Sequence, residues 1–300
     1  MTPSPIFANA PFTFEEMSAR RSGEERETIA RYVAPGDIEV MEHKVGAVPI
    51  RIYRPKQVAG KLPLLLWMHG GAFMGGGLDM PEGQVTAFEI AHRAKALVVS
   101  IDYRLCTDEI KFPSPQQDAL AVAEWVLKNF EKLAFDQNRV FLGGGSAGAC
   151  LAGSLALMLR DRGIELAGVL PIYPVGHREE LAPSAELQKH CDDHSGRPQQ
   201  LLIGHNEWLD PNPSDNREFY PWPAETYKLQ NLPKHYFIHA DFDILRSTGE
   251  PWAAKLRDAG VPIEEEVIVG SLHGFLNDLP NENPLQDQAL NRMAAIIKGA

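Results

Sequence analysis

The chain has 300 residues, 44% of them hydrophobic, and carries 29 Lys and Arg against 40 Asp and Glu, a formal charge of −11. That balance disfavours a protein built to grip nucleic-acid phosphates or anionic lipid, either of which wants clustered basic side chains. The apolar content, with 25 Gly and 23 Pro, excludes a disordered or collagen-like chain, and three cysteines are too few for a disulfide framework.

In chain order, residues 1–19 hold no Lys or Arg, and Pro3, Pro5 and Pro11 interrupt any apolar stretch. A signal peptide is therefore not expected, and the expected location is cytoplasmic. Residues 1–36 read as a partly helical lead-in whose apolar content is mainly Phe7, Phe12, Phe14 and Met17. A hairpin is predicted next, with Ile38 and Val40 on one strand, Val48, Ile50 and Ile52 on the other, and Gly46-Ala47 between them. Leu62–Met68 is a continuous apolar run, as a strand buried on both faces requires. A helix over 82–95 and a buried strand at Leu97–Ile101 follow, then a helix whose apolar face runs from Ala119 to Phe130.

The stretch Val140–Leu159 is uncharged for twenty residues, enough for a naive membrane span. Gly143, Gly144 and Gly145 would break such a helix near its start, so a short strand at Val140–Leu142, a tight turn and a buried helix over 146–160 are expected instead. A strand at Ala167–Tyr173 comes next. Residues 176–222 are rich in Pro, Asn, Asp, His and Gly and read as irregular. Alternation resumes with a strand at Tyr236–Ile238, a helix near 248–259, a strand at Val267–Val269 and a last helix near 285–298. Strand–helix alternation predicts an α/β architecture, with a mostly parallel central sheet and helices on both faces.

The sharpest chemical signal is Gly144-Gly145-Ser146-Ala147-Gly148, a G-x-S-x-G pattern between an apolar strand and an apolar helix. That context is the one a nucleophile elbow needs. A serine on such a turn adopts backbone angles that small neighbours permit, and the helix start aims unpaired N–H groups at developing negative charge. His69-Gly70-Gly71-Ala72-Phe73, directly after the buried strand, has glycines that let backbone N–H groups approach an oxyanion. His273 lies past the last predicted strand, on a loop from which a general base can reach a distant serine. Asp241 and Asp243 lie just past the preceding strand, where a carboxylate could orient that imidazole. The order Ser146, Asp243, His273 matches the α/β-hydrolase order rather than either of the two common protease orders.

With these motifs, Tyr53-Arg54-Pro55, Asp102-Tyr103-Arg104-Leu105, Phe112-Pro113 with Asp118, Ile172-Tyr173-Pro174 and Asp243-Ile244-Leu245-Arg246, the chain resembles the hormone-sensitive-lipase-type carboxylesterases of the α/β-hydrolase superfamily. The resemblance implies an α/β-hydrolase fold with a cap formed by residues 1–36 and 176–222, over a catalytic core of residues 37–175 and 223–300. It implies Ser146 as nucleophile, His273 as base and Asp243 as the orienting acid in preference to Asp241. Three departures stand out. Gly145 replaces the acidic residue usual before the nucleophile, Ala72 replaces the third glycine of the oxyanion motif, and Ser247-Thr248 replace a further acidic pair. The first and third would remove carboxylates from the neighbourhood of the site.

The expected chemistry is hydrolysis of small to medium carboxylic esters through an acyl-enzyme, with backbone N–H groups of Gly70, Gly71 and Ala147 holding the oxyanion and no cofactor. Phe12, Phe14 and Trp208 are the candidates for a substrate pocket in the cap. The expected partner is a small-molecule ester, with no nucleic acid and no membrane insertion; monomer and homodimer both stay open. Amide, formamide or thioester hydrolysis would use the same residues, and a non-catalytic ligand receptor, the branch of this family that lacks the histidine, is the alternative of a different class. His190-Cys191-Asp192-Asp193-His194 invites a zinc reading, but its spacing fits no common site, and a polar cap loop without metal is expected. Cys150, one helical turn after Ser146, is expected to be core packing.

Overall fold

In the computed structural model, which describes residues 14–176, 182–195, 205–212 and 226–299, the chain enters through helix α1 (Phe14–Arg31) and then builds one sheet. Strands β1 (Ile38–Val45) and β2 (Val48–Pro55) form the expected hairpin about Gly46-Ala47. The remaining strands are β3 (Leu62–Met68), β4 (Leu97–Ile101), β5 (Phe135–Gly145), β6 (Gly168–Ile172), β7 (His235–Phe242) and β8 (Ile263–Leu272). Their order across the sheet is β1-β2-β4-β3-β5-β6-β7-β8, antiparallel as far as the β2–β4 pair and parallel from β4 to β8.

Helices α2 (Pro81–Ala94), α3 (Ser114–Lys128), α4 (Phe130–Leu133) and α5 (Ala147–Arg160) connect the first strands; α8 (Arg246–Asp258) and α9 (Pro284–Gly299) follow β7 and β8. The two-residue period of β3 divides the core. Leu64, Leu66 and Met68 pack with residues of α3, α5 and α8 on one face; Leu65 and Trp67 pack with α2 and α9 on the other. Seven consecutive buried residues in β3 are what helices on both faces demand.

Two strands are longer than the apolar signal. Val140–Leu142 is the centre of β5, whose polar start at Asp136–Arg139 continues the strand. The Glu264-Glu265-Glu266 run belongs to β8, the outer strand of the sheet. Its carboxylates meet Lys234, His239, Arg257 and Arg292. Charge along an edge strand opposes pairing with another sheet. The twenty-residue uncharged stretch resolves into the end of β5 and helix α5, as expected, and among the described residues no helix is long and apolar enough to cross a membrane.

The segment expected to be irregular contains helix α6 (Ala185–His194) and the short α7 (His205–Leu209) between β6 and β7. Ser184 caps α6 by accepting from the Leu187 N–H at 3.1 Å. Its polar residues masked the helix because its stability comes from docking on β7 rather than from a broad apolar face.

Candidate active site

Three of the singled-out residues sit at the C-terminal ends of parallel strands, the end where open α/β sheets form their ligand crevices. Ser146 follows β5 directly, with φ +53° and ψ −116°, outside the regions favourable to a side chain. Its N–H donates to Ile172 O at 2.9 Å, extending the β5–β6 ladder to the turn itself. Close packing leaves no alternative path: a Cβ at Gly148 would stand 2.1 Å from Met68 O. Small residues around the serine are thus a steric requirement of the crossing between α5 and β3, and surrounding packing holds the strained angles in place.

Asp243 follows β7 and is 2% exposed; its Oδ1 accepts from the Leu245 N–H at 2.9 Å. His273 follows β8. Its Nδ1 lies 2.6 Å from Asp243 Oδ2 and its Nε2 3.0 Å from Ser146 Oγ. A proton on Nδ1, donated to the carboxylate, leaves Nε2 to accept from the serine hydroxyl. Asp241 is engaged elsewhere. It accepts from Gly270 N–H at 2.8 Å and pairs with His190 Nε2 at 3.0 Å. Partial burial pushes its carboxyl up, but the Gly270 N–H and His190 outweigh this and hold it below the usual carboxylate range. Of the two aspartates, Asp243 is the one beside the imidazole.

The glycine loop after β3 behaves differently from its sequence reading. The Gly70 N–H, expected to face an oxyanion, donates instead to the buried carboxyl of Glu82. Gly71 and Ala147 are left as the candidate donors; Ala147 opens α5, where N–H groups lack intrahelical acceptors. His69 is buried behind this loop, stacked on Tyr103 with ring centroids 4.4 Å apart, and its carbonyl accepts from Tyr103 Oη at 2.6 Å.

Glu82, Tyr173 and Asn277 were not legible as site residues. Glu82 stands against Gly145, so the elbow glycine does not remove a carboxyl from the site; helix α2 supplies one there. The Tyr173 and His273 rings meet at a steep angle, with centroids 5.1 Å apart. Asn277 bridges Glu82 N–H, at 3.4 Å, and Gly274 O in the histidine loop, at 3.1 Å. The only available signal was an acidic residue in a first helical turn that leads into buried residues.

Of the pocket candidates, Phe12 lies outside the described residues and Phe14 begins α1, its side chain also outside them. Trp208 on α7 donates Nε1 to Asp108 Oδ1 at 3.3 Å and lies under the Lys111 ammonium, 3.2 Å from its ring centroid. The His190–His194 run is helical rather than a loop, and its residues go to different partners. His190 reaches Asp241, Lys189 pairs with Asp193, His194 stacks on Phe242, and Cys191 is buried. Burial pushes the Cys150 thiol up to about 12, which suits core packing and not a second nucleophile.

The model of a family described as alpha/beta hydrolase fold matches residues 65–277. The chain belongs to that family. It is 31% identical over 250 residues to the versiconal hemiacetal acetate esterase of Dothistroma septosporum, covering 80% of this chain and 74% of that one. It is 28% identical to an arylesterase of Saccharolobus solfataricus, over 76% and 73% of the two chains. Among solved structures, a hyperthermophilic esterase from the archaeon Pyrobaculum calidifontis superposes with a TM-score of 0.82 at 28% identity, covering 100% of this chain and 99% of that one. A thermostable esterase from Pseudomonas putida does so with 0.81 at 25% identity, over 95% and 89%. The alpha/beta hydrolase fold and the carboxylesterase kinship expected from the motifs are borne out.

Proposed function

We propose that this alpha/beta hydrolase is a carboxylic ester hydrolase that works through an acyl-enzyme on Ser146. The observation that carries this reading is the unbroken line from Asp243 through His273 to Ser146, with separations of 2.6 and 3.0 Å, ending on a serine held at a strained strand-to-helix turn. Ser146 Oγ attacks the ester carbonyl carbon as its proton passes to His273 Nε2, and Asp243 stabilises the imidazolium. The carbonyl oxygen becomes an oxyanion facing the N–H groups of Gly71 and Ala147; each such donor is worth roughly 10²–10³ in rate in enzymes where one has been removed. Collapse expels the alcohol, which takes the proton from His273. Water then attacks the acyl-enzyme, its proton going to His273, and the acid leaves with Ser146 restored.

The substrates are small-molecule esters; the esterase and arylesterase names of the relatives support this class. The lead-in and the segment carrying α6 and α7 act as a cap that chooses among them. Labelling with a fluorophosphonate probe tests the nucleophile. The expected outcome is labelling of the wild-type chain and none of Ser146→Ala, together with loss of 4-nitrophenyl acetate hydrolysis at an unchanged melting temperature. Activity within tenfold of wild type in a folded Ser146→Ala variant would overturn the reading.

A further inference from the structure

Helix α2 sends a carboxyl into the interior at its second residue. Glu82 is 1% exposed, and its two oxygens have separate partners: Oε1 accepts from the Gly70 N–H and Oε2 from the Tyr173 hydroxyl. Its main chain is fixed as well, the carbonyl by Trp67 Nε1 at 3.0 Å and the N–H by Asn277 Oδ1 at 3.4 Å. The elbow is shaped around it. A Cβ on Gly145 would stand 2.6 Å from both Glu82 Cδ and Oε2, and one on Gly70 would stand 2.9 Å from Oε1. A side chain at either glycine would have to displace the Glu82 carboxyl from its two hydrogen bonds, so the two glycines and the glutamate fit together.

We propose that Glu82 is a positioning residue that sets the oxyanion loop in register with Ser146, occupying from α2 the space that the residue before the nucleophile leaves empty. This rests on the ester-hydrolase reading above and adds a part to it. A buried glycine loop has many backbone orientations open to it, and an N–H aimed at the wrong place stabilises no charge. By accepting from Gly70, Glu82 turns that peptide away from the substrate and leaves the next one, which carries the Gly71 N–H, to face the oxyanion. By accepting from Tyr173, it also fixes the ring that lies against His273. One carboxyl therefore joins the donor side of the site to the base side. The buried acceptor has a second consequence: without it, the Gly70 N–H would lose its partner inside the protein and the loop would rearrange to satisfy it.

The test separates filling space from accepting a hydrogen bond. Glu82→Gln keeps the shape and an acceptor for Gly70; Glu82→Leu keeps most of the volume and no acceptor. With 4-nitrophenyl acetate, kcat is expected to fall about tenfold to a hundredfold in Glu82→Leu, below the cost of losing an oxyanion donor outright. KM should move by less than about threefold, because ground-state binding does not use the loop's donors. Glu82→Gln should stay within about fivefold of wild type. The fluorophosphonate labelling rate should follow kcat, since the phosphoryl oxygen occupies the same place as the oxyanion. A double variant, Glu82→Ala with Gly145→Asp, returns a carboxyl to the space from the elbow side and should recover at least about tenfold over Glu82→Ala. All variants are compared after their melting curves show a folded enzyme. A folded Glu82→Leu with kcat equal to that of Glu82→Gln, or a loss confined to KM, would overturn the proposal. Ser146→Ala in the same assay distinguishes the two failures: if Ser146 is required and Glu82→Leu is fully active, only the positioning role falls.

Discussion

The contact between His273 Nδ1 and Asp243 Oδ2, at 2.6 Å, sets apart two aspartates only two residues from each other. Asp243 is buried, and among the described residues its carboxyl oxygens meet the imidazole and the Leu245 N–H. Asp241 ties the end of β7 to Gly270 in β8 and to His190 in α6. Asp243→Asn keeps the shape but donates where it should accept, favouring the wrong tautomer, and is expected to lower kcat by up to about 10⁴. Asp241→Asn should cost far less, because it removes a charge from a brace and not from the imidazole. In parallel pH–rate profiles, the acid limb expected of a histidine base should persist in Asp241→Asn. A larger loss in Asp241→Asn than in Asp243→Asn, in equally folded proteins, would reverse the assignment.

At the scale of elements, the parallel strands position Ser146, Asp243 and His273, and the helices between β6 and β7 are anchored beside them or on the Asp108–Phe112 loop. Strands β5, β7 and β8 bring Ser146, Asp243 and His273 to the same end of the sheet without any of the three being near in sequence. Helix α6 is held to the β7 end by His190 on Asp241 and by His194 stacked on Phe242. Helix α7 is held by Trp208 on Asp108 and Lys111, and by Leu209 O accepting from Phe112 N–H at 3.1 Å. A cation over an indole face contributes about 0.5–2 kcal/mol, so Trp208 reads as an anchor for α7. Trp208→Ala is then expected to lower the rates on 4-nitrophenyl acetate and 4-nitrophenyl hexanoate by the same factor. A loss confined to the longer acyl chain would make Trp208 a wall of the acyl pocket instead.

The whole molecule carries a built-in sensitivity to acid through His235 at the start of β7. The ring is 1% exposed, donates Nδ1 to Pro233 O at 2.7 Å, and is brought down to about 4 by burial, which the Pro233 carbonyl only partly offsets. An unfolded chain binds a proton at this histidine near pH 6.5 and the folded one near 4, so stability falls as pH drops through that window. Between pH 7.5 and pH 5 the loss from this group is about 2 kcal/mol. Urea unfolding at the two pH values should show a correspondingly smaller drop in His235→Gln than in wild type. An identical drop in both proteins would show that the acid sensitivity arises elsewhere.

Much of this was legible in the chain itself. Apolar runs of strand length alternating with helical faces determined a parallel sheet covered on both sides, because burial imposes those periods locally. The elbow and the glycine loop are local patterns too: Ser146 sits on the strand-to-helix turn that its neighbours predict, whereas the Gly70 N–H turned out to face Glu82. Other decisions belonged to the tertiary structure. The Gly70 N–H is taken by Glu82, which is twelve residues from Gly70 and sixty-three from Gly145. The choice of Asp243 over Asp241 could not be made from strand periodicity, which points both the same way; it was made by Gly270 and His190 capturing one of them. Helix α6 was not legible because its polar residues find their partners across the fold. Local patterning records what a segment must bury, but a polar side chain acquires its role from the donor or acceptor that folding brings to it.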